Sequence, residues 1–175
     1  MEGDLADMLA RKKKDVPDAD RIHEWDRMFY TKKIQNERFG VDAQEVRKYF
    51  DFAKVKKGLL DMTQELFGLE FVAAADAVKW ADDVEAYDVK RDGKPIGRFY
   101  LDMHPREGKY GHAAMFPIVV GITGTQLPTA SLVCNFPKPT ADGPALMEYG
   151  DVTTFFHEFG HLVHHILGSG YKYAN

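Results

Sequence analysis

Four histidines and one glutamate fall within TTFFHEFGHLVHHILG, Thr153 to Gly168, a run otherwise apolar enough to be buried. An α-helix turns about 100° per residue, so His161 lies about 40° round from His157 and one turn further along. The two imidazoles then point the same way. Glu158 is about 100° from His157 but only about 60° from His161, which puts its carboxylate beside the pair. This H-E-x-x-H arrangement suits one Zn²⁺ gripped by the neutral imidazoles of His157 and His161, with Glu158 close enough to take a proton from water. At ordinary residue frequencies a chain of this length holds such a motif by accident well under ~1% of the time.

The element that must carry these residues is a mostly buried helix, with Val152, Phe155, Phe156, Phe159, Leu162, Val163, Ile166 and Leu167 as its apolar positions. Asp151 or Glu148 favours its start and Gly168 caps its end. Paired histidines on such a helix need partners, which a metal supplies. Gly160, a residue that costs roughly 1 kcal/mol against Ala in mid-helix, suggests close approach by a neighbouring backbone or ligand, with simple drift as the alternative. His164 is about 20° from the His157 direction. It faces the metal or, on the simpler reading, is a hydrogen-bonded core or cleft histidine. His165 turns away and reads as structural.

The longer motif H-E-x-x-H-x-x-G-x-x-H would need Gly at 164 and His at 167, where this chain has His164 and Leu167. A third protein ligand must come from elsewhere, and a carboxylate on a later helix is the expected source, as in His₂Glu sites. After His161 the sequence contains no Asp or Glu. Either an upstream carboxylate folds back or the ligand lies outside these 175 residues.

The chain resembles the thimet oligopeptidase and oligopeptidase A family of zinc metallopeptidases. The likeness runs through EWDRMFY (Glu24 to Tyr30), YFDFAKVKKGLLDMTQELFGLEF (Tyr49 to Phe71), GRFYLDMHPREGKYGHAAMF (Gly97 to Phe116), CNFPKPT (Cys134 to Thr140) and TTFFHEFGHLVHHI (Thr153 to Ile166). The resemblance implies that His157 and His161 bind zinc and that Glu158 is the base. It places the third ligand, a glutamate, on a helix after the motif helix, with tyrosines and a histidine that steady the transition state later still. None of those later parts lies in this sequence, which is similar to a middle slice of a longer enzyme. Preference for short peptides, through a deep channel walled by helices from both ends of the full chain, is likewise an implication of the resemblance.

Composition bounds the alternatives. A chain of 175 residues with 45% hydrophobic content allows one domain with a core, and a formal net charge of −4 argues against general nucleic-acid or anionic-membrane binding. The single cysteine, Cys134, excludes an internal disulfide and reads as a small buried apolar residue. The first twenty residues lack the apolar core of a signal peptide, and nowhere do 18 or more apolar residues run together. A cytoplasmic location is the expectation. Arg11 to Lys14 read as a solvated helix face.

The organisation changes near Gly68. Before it, Asp20 or Asp18 starts a helix carrying Trp25, Phe29 and Tyr30 that ends before Gly40. Asp42 with Glu45 looks like a capping box for a second helix to about Tyr49, and a third spans Phe52 to Phe67. The aromatic stripes are core by default. After Gly68 the period falls towards two: VEAYDV and IGRFYLDM flank KRDGKP, whose Asp92-Gly93 is a hairpin signal. A strand follows the Pro105 to Gly108 turn, ASLVCNF is another, and KPTADGPAL is a loop. The expectation is an α+β chain: N-terminal helices over 1–68, a small, mainly antiparallel sheet over 69–140, and the zinc-binding helix within 146–168. Together these form a single, partial zincin-like catalytic domain.

The sheet bears on function because an exposed strand edge holds an extended peptide by main-chain hydrogen bonds. Gly111, His112, Ala113 and Ala114 are candidate substrate-binding positions, where small side chains admit a backbone; a tight hairpin packed against a helix is the alternative. Leu132 to Phe136 is the competing edge. Lys109 and Arg106 either meet acidic peptide groups or are solvated. The function expected is that of a zinc-dependent metalloendopeptidase or oligopeptidase cleaving short peptides through metal-activated water, with Glu158 moving the proton. One rival is a non-catalytic zinc- or peptide-binding remnant that needs the missing C-terminal part, self-association or a complementing chain. Another metal hydrolase, such as a deformylase, is the second.

Overall fold

A computed structural model describes residues 2–40, 43–141 and 143–169. The described residues form two compact units, 1–46 and 47–175. The first holds α1 (Glu2–Asp15), α2 (Glu24–Phe39) and the short α3 (Ala43–Val46). Arg11 donates to Glu37 at 2.7 Å, and Lys12 pairs with Asp26 at 2.6 Å. These two members of the basic run are therefore turned inward onto carboxylates and are not a solvated face. The cap of α2 is His23, whose N–H donates to Asp26 at 2.9 Å, and not Asp18 or Asp20. Asp42 lies outside the described residues. Tyr30 is buried, but Trp25 and Phe29 are 78% and 58% exposed, contrary to the expectation of core. Two long helices have one mutual interface, and it cannot cover every aromatic on both.

The second unit opens with a 3-10 turn, Arg47–Tyr49, and α4 (Phe52–Phe67). Asp51 caps α4 by accepting from the N–H of Lys54 at 3.1 Å, and Gly68, at φ 62°, ends it in the left-handed conformation that Gly adopts without penalty. Five strands follow: β1 (Glu70–Ala73), β2 (Glu85–Arg91), β3 (Lys94–Asp102), β4 (Ala114–Val119) and β5 (Thr129–Val133). The chain closes its described part with α5 (Tyr149–Leu167). The fold is α+β. Asp92 and Gly93, both at positive φ, turn β2 into β3 as the sequence signal requires.

The sheet order is β1-β2-β3-β5-β4. Every pairing is antiparallel except β3 with β5, which is parallel because β4 lies between them in sequence but outside them in space. β5 is therefore an interior strand, and the edge proposed for Leu132 to Phe136 is not one. β4 and β1 are the two outer strands, and β4 is interrupted by Pro117 and by a register shift between Pro117 and Val119.

Helices α4 and α5 pack side by side on the sheet. Phe52 stacks on Phe155 at a ring separation of 6.3 Å, and Phe159 meets Phe99 edge-on at 5.7 Å. Phe155, Phe159, Leu162, Val163 and Ile166 are all buried, each contributing about 1.5–3 kcal/mol. The starts of the two helices are tied by Phe52 N–H to Ala145 O and Met147 N–H to Phe50 O, both 2.8 Å. Gly97 on β3 is the notch that admits α5: a Cβ there would lie 2.9 Å from Ile166 Cγ2 and 3.2 Å from Pro128 O. Gly160 is the opposite case. Apart from its chain neighbours and the backbone of its own helix, no described atom lies within 4 Å of its Cβ position, so the close approach by a neighbouring backbone expected there is not made.

A buried charge cluster fixes the turn between β3 and β4. Asp102 is 3% exposed and accepts from Arg106 at 2.7 and 2.8 Å and from Trp80 Nε1 at 2.8 Å. Lys109 Nζ sits 2.8 Å from the same carboxylate and donates to the carbonyls of Asp102, His104 and Cys134 at 2.9, 2.6 and 2.5 Å. Neither cation is a solvated turn residue or is turned outward to meet a peptide: both close on Asp102. Burial pushes the Asp102 carboxyl up, but the hydrogen bonds from Arg106, Lys109 and Trp80 outweigh it and hold it down at about 2. No helix among the described residues is long and apolar enough to cross a membrane.

Two stability measurements follow from this packing. Gly97→Ala is expected to cost about 1–3 kcal/mol in denaturant unfolding through overpacking, whereas Gly160→Ala is expected to gain up to about 1 kcal/mol in helix propensity. Equal effects at the two positions would contradict the notch. Asp102→Asn is expected to cost about 3–5 kcal/mol at pH 7 by stranding buried cations. Because the folded carboxyl titrates below its unfolded value, wild-type stability from this group is full above about pH 4 and fades towards pH 2. The gap between wild type and variant should narrow across that window in unfolding curves recorded from pH 7 to pH 2.

Candidate functional site

Glu148 caps α5, its N–H donating to Asp151 Oδ2 at 2.9 Å, and Gly168 closes the helix by donating to His164 O. Gly168 does so in the right-handed conformation, so its glycine freedom is not used. With Phe155, Phe159, Leu162 and Ile166 turned to the core, the 3.6-residue period leaves His157 and His161 exposed and Glu158 half-buried at the border.

The two imidazoles are together. Nε2 of His157 and Nε2 of His161 are 3.2 Å apart, with rings inclined by 80°. Two nitrogens about 2.0–2.1 Å from one tetrahedral ion would be separated by about 3.3 Å, so the pair fits a shared Zn²⁺. The fit is incomplete in number: among the described residues no group of three or more His, Cys, Asp or Glu side chains converges on one point. Among the described residues no upstream carboxylate is folded back as a third ligand.

The remaining histidines separate by role. His165 is tied to the sheet through Nε2 and the carbonyl of Val119 at 3.2 Å. His164 is exposed and, with Gly160, lines a groove of about 320 Å³ whose other walls include Leu59, Met62, Phe67 and Phe156.

Two anchor points orient α5 along the sheet. Ile166 lies over Gly97, beside the start of β5, and Phe155 meets Phe136, just past its end, at a ring separation of 5.3 Å. α5 therefore runs opposite to β5 and in the same sense as β4, whose first residue, Ala114, pairs with Val133. The His157 and Glu158 end of α5 and the start of β4 consequently share one end of the sheet. Gly111 and His112 are exposed and Ala113 half-buried, in the segment leading into β4 and not within the strand. Cys134 is fully buried; burial first, and then the negative charge of Glu158, push its thiol up to about 12, which leaves it inert as a nucleophile.

Two residues gained importance only in three dimensions. Asp102 organises the turn, and Asn135 donates from Nδ2 to the carbonyls of Tyr110 and His112 at 3.0 and 3.2 Å. An amide flanked by the apolar Cys134 and Phe136 was the available signal, because polar groups in such runs need partners.

Comparison with known proteins agrees with the motif. The model of peptidase family M3 matches residues 1–174. The chain is 38% identical over 154 residues to the thimet-like oligopeptidase of Dictyostelium discoideum, covering 84% of this chain and 23% of that protein. It is 37% identical to saccharolysin of Saccharomyces cerevisiae, covering 82% of this chain and 22% of the relative. With oligopeptidase A of Escherichia coli the identity is 32%, over 95% of this chain and 25% of the relative. The chain thus spans about a quarter of the length of the curated relatives it matches. With a match along nearly its whole length, and with H-E-F-G-H on a helix, the chain belongs to peptidase family M3.

Proposed function

We propose that the chain carries the zinc-binding helix of a metallopeptidase that hydrolyses peptide bonds in short peptides. The observation that carries this reading is the pair of imidazole nitrogens 3.2 Å apart on the open side of α5, with Glu158 next to them. The oligopeptidase names of the relatives support short peptides as substrates.

His157 and His161 would hold one Zn²⁺ through Nε2. When bound, the ion lowers the pKa of a coordinated water to about 7 and polarises the scissile carbonyl. Glu158 takes a proton from the attacking water on its carboxylate and returns it to the nitrogen of the leaving amine. An extended peptide lies along β4 by main-chain hydrogen bonds, with Gly111, His112 and Ala113 leading into the strand and His112 set to meet a substrate carbonyl. No acyl-enzyme is needed. We place this chemistry in the cytoplasm, where the lone thiol of Cys134 stays reduced.

A second reading rests on the two-ligand count among the described residues. On that reading the chain is a zinc- or peptide-binding remnant, and a further part of the protein, self-association or a complementing chain must supply the missing ligand before turnover.

In the whole protein, Glu158→Gln is expected to leave zinc stoichiometry intact and to lower hydrolysis of a quenched fluorescent peptide by about 10²–10⁴-fold. Retained turnover would remove Glu158 from its role. The 175-residue chain alone is expected to bind zinc weakly and without cleavage, and His157→Ala to abolish that binding in a competition titration with a chromophoric chelator. Tight stoichiometric zinc with cleavage would instead mean that a third ligand is completed within the chain or between copies of it.

A further inference from the structure

We infer that Asn135 is a positioning residue: its side-chain amide holds the backbone that leads into the edge strand β4 in the shape an extended peptide must meet. The inference rests on the peptidase reading above, because it assigns the segment Tyr110 to Ala113 to the substrate.

The geometry supplies a fixed post and a clip. On either side of Asn135, Cys134 N–H donates to Asp102 O and Phe136 N–H donates to Met103 O, both at 2.8 Å, so the backbone carrying the amide is pinned to the continuation of β3. Cys134 and Phe136 are both in the core under the helices, which turns Asn135 to the other side of the strand by the two-residue alternation. From there Nδ2 donates to Tyr110 O at 3.0 Å and His112 O at 3.2 Å, using the amide nitrogen on two carbonyls two residues apart. The segment is held at its near end by Lys109, buried among the carbonyls of Asp102, His104 and Cys134, and at its far end by Ala114, paired with Val133. Asn135 grips the stretch between.

Gly111 is the reason a clip is needed. It is exposed, no described atom beyond its two chain neighbours lies within 4 Å of its Cβ position, and it is the residue with the greatest conformational freedom in the stretch. Without the amide, a peptide pairing with β4 must order this backbone as it binds, and ordering lowers affinity without touching the reacting atoms.

The test uses the whole zinc-loaded protein and a quenched fluorescent peptide, with Asn135→Asp and Asn135→Ala. The aspartate keeps the shape but sets carboxylate oxygen against two carbonyl oxygens; the alanine only removes the donor, and carries the test if the added charge disturbs folding. The expected result is a rise in KM of about tenfold with kcat within about twofold, unchanged zinc content, and faster amide hydrogen exchange confined to Tyr110 to Ala113. A KM that rises by less than about threefold in a folded variant, or a kcat that falls as far as KM rises, overturns the inference. Glu158→Gln in the same preparation tests the underlying reading separately: if it retains turnover, the chemistry assigned to α5 fails whatever the Asn135 variants do.

Discussion

One stripe of α5 has to be dry while the stripe beside it stays wet, and the second unit is organised around that division. Phe155, Phe159, Leu162 and Ile166 form the dry stripe, with His157 and His161 interleaved between them in sequence but rotated to the open side. A turn of the helix by one residue, about 100°, in one sense would put Thr154, Glu158, His161 and His165 where Phe155, Phe159, Leu162 and Ile166 now lie, at a cost in lost burial and in desolvated polar groups. The sheet resists that rotation. Gly97 accepts Ile166 in a gap too small for any other side chain on β3, and Phe99 meets Phe159 edge-on. The alignment of two ring nitrogens is thus a by-product of where the phenyl rings go.

The same sheet is held at the other end by charge. Lys109, Arg106 and Trp80 converge on the Asp102 carboxylate, and Lys109 also satisfies carbonyls from β3's end and from the segment after β5. Electrostatics here sets the path of a turn, whereas packing sets the rotation of a helix. The charge cluster closes the end of the sheet that carries the start of β4, and the Gly97 notch holds α5 at the opposite end, so the polar and apolar constraints fix the sheet from two sides.

The motif was legible because its information is local: residues four apart on a helix share a face whatever the rest of the chain does. Phe52 to Phe67, ended by Gly68, and the Asp92-Gly93 hairpin were legible for the same reason, since caps and turns are short-range chemistry. The parallel pairing of β3 with β5 was not, because nothing in either strand records that β4 lies outside them. β1 is only Glu70–Ala73, too short to declare a period. Lys109 and Arg106 read as surface residues because their partner, Asp102, becomes buried only once Trp80 is laid over it. Asn135 and the carbonyls it holds are 23 and 25 residues apart in sequence, a link that only folding makes.

The outer strand β4 has an open row of backbone groups, and such rows are templates on which other chains can aggregate. Pro117 takes one donor out of that row, and the bulge after it bends the strand before the row can resume. Two copies of the chain laid edge to edge would therefore lose register within a few residues and could not extend into a continuous intermolecular sheet. The interruption of that edge is built into the strand itself, by one imino acid and one slipped residue.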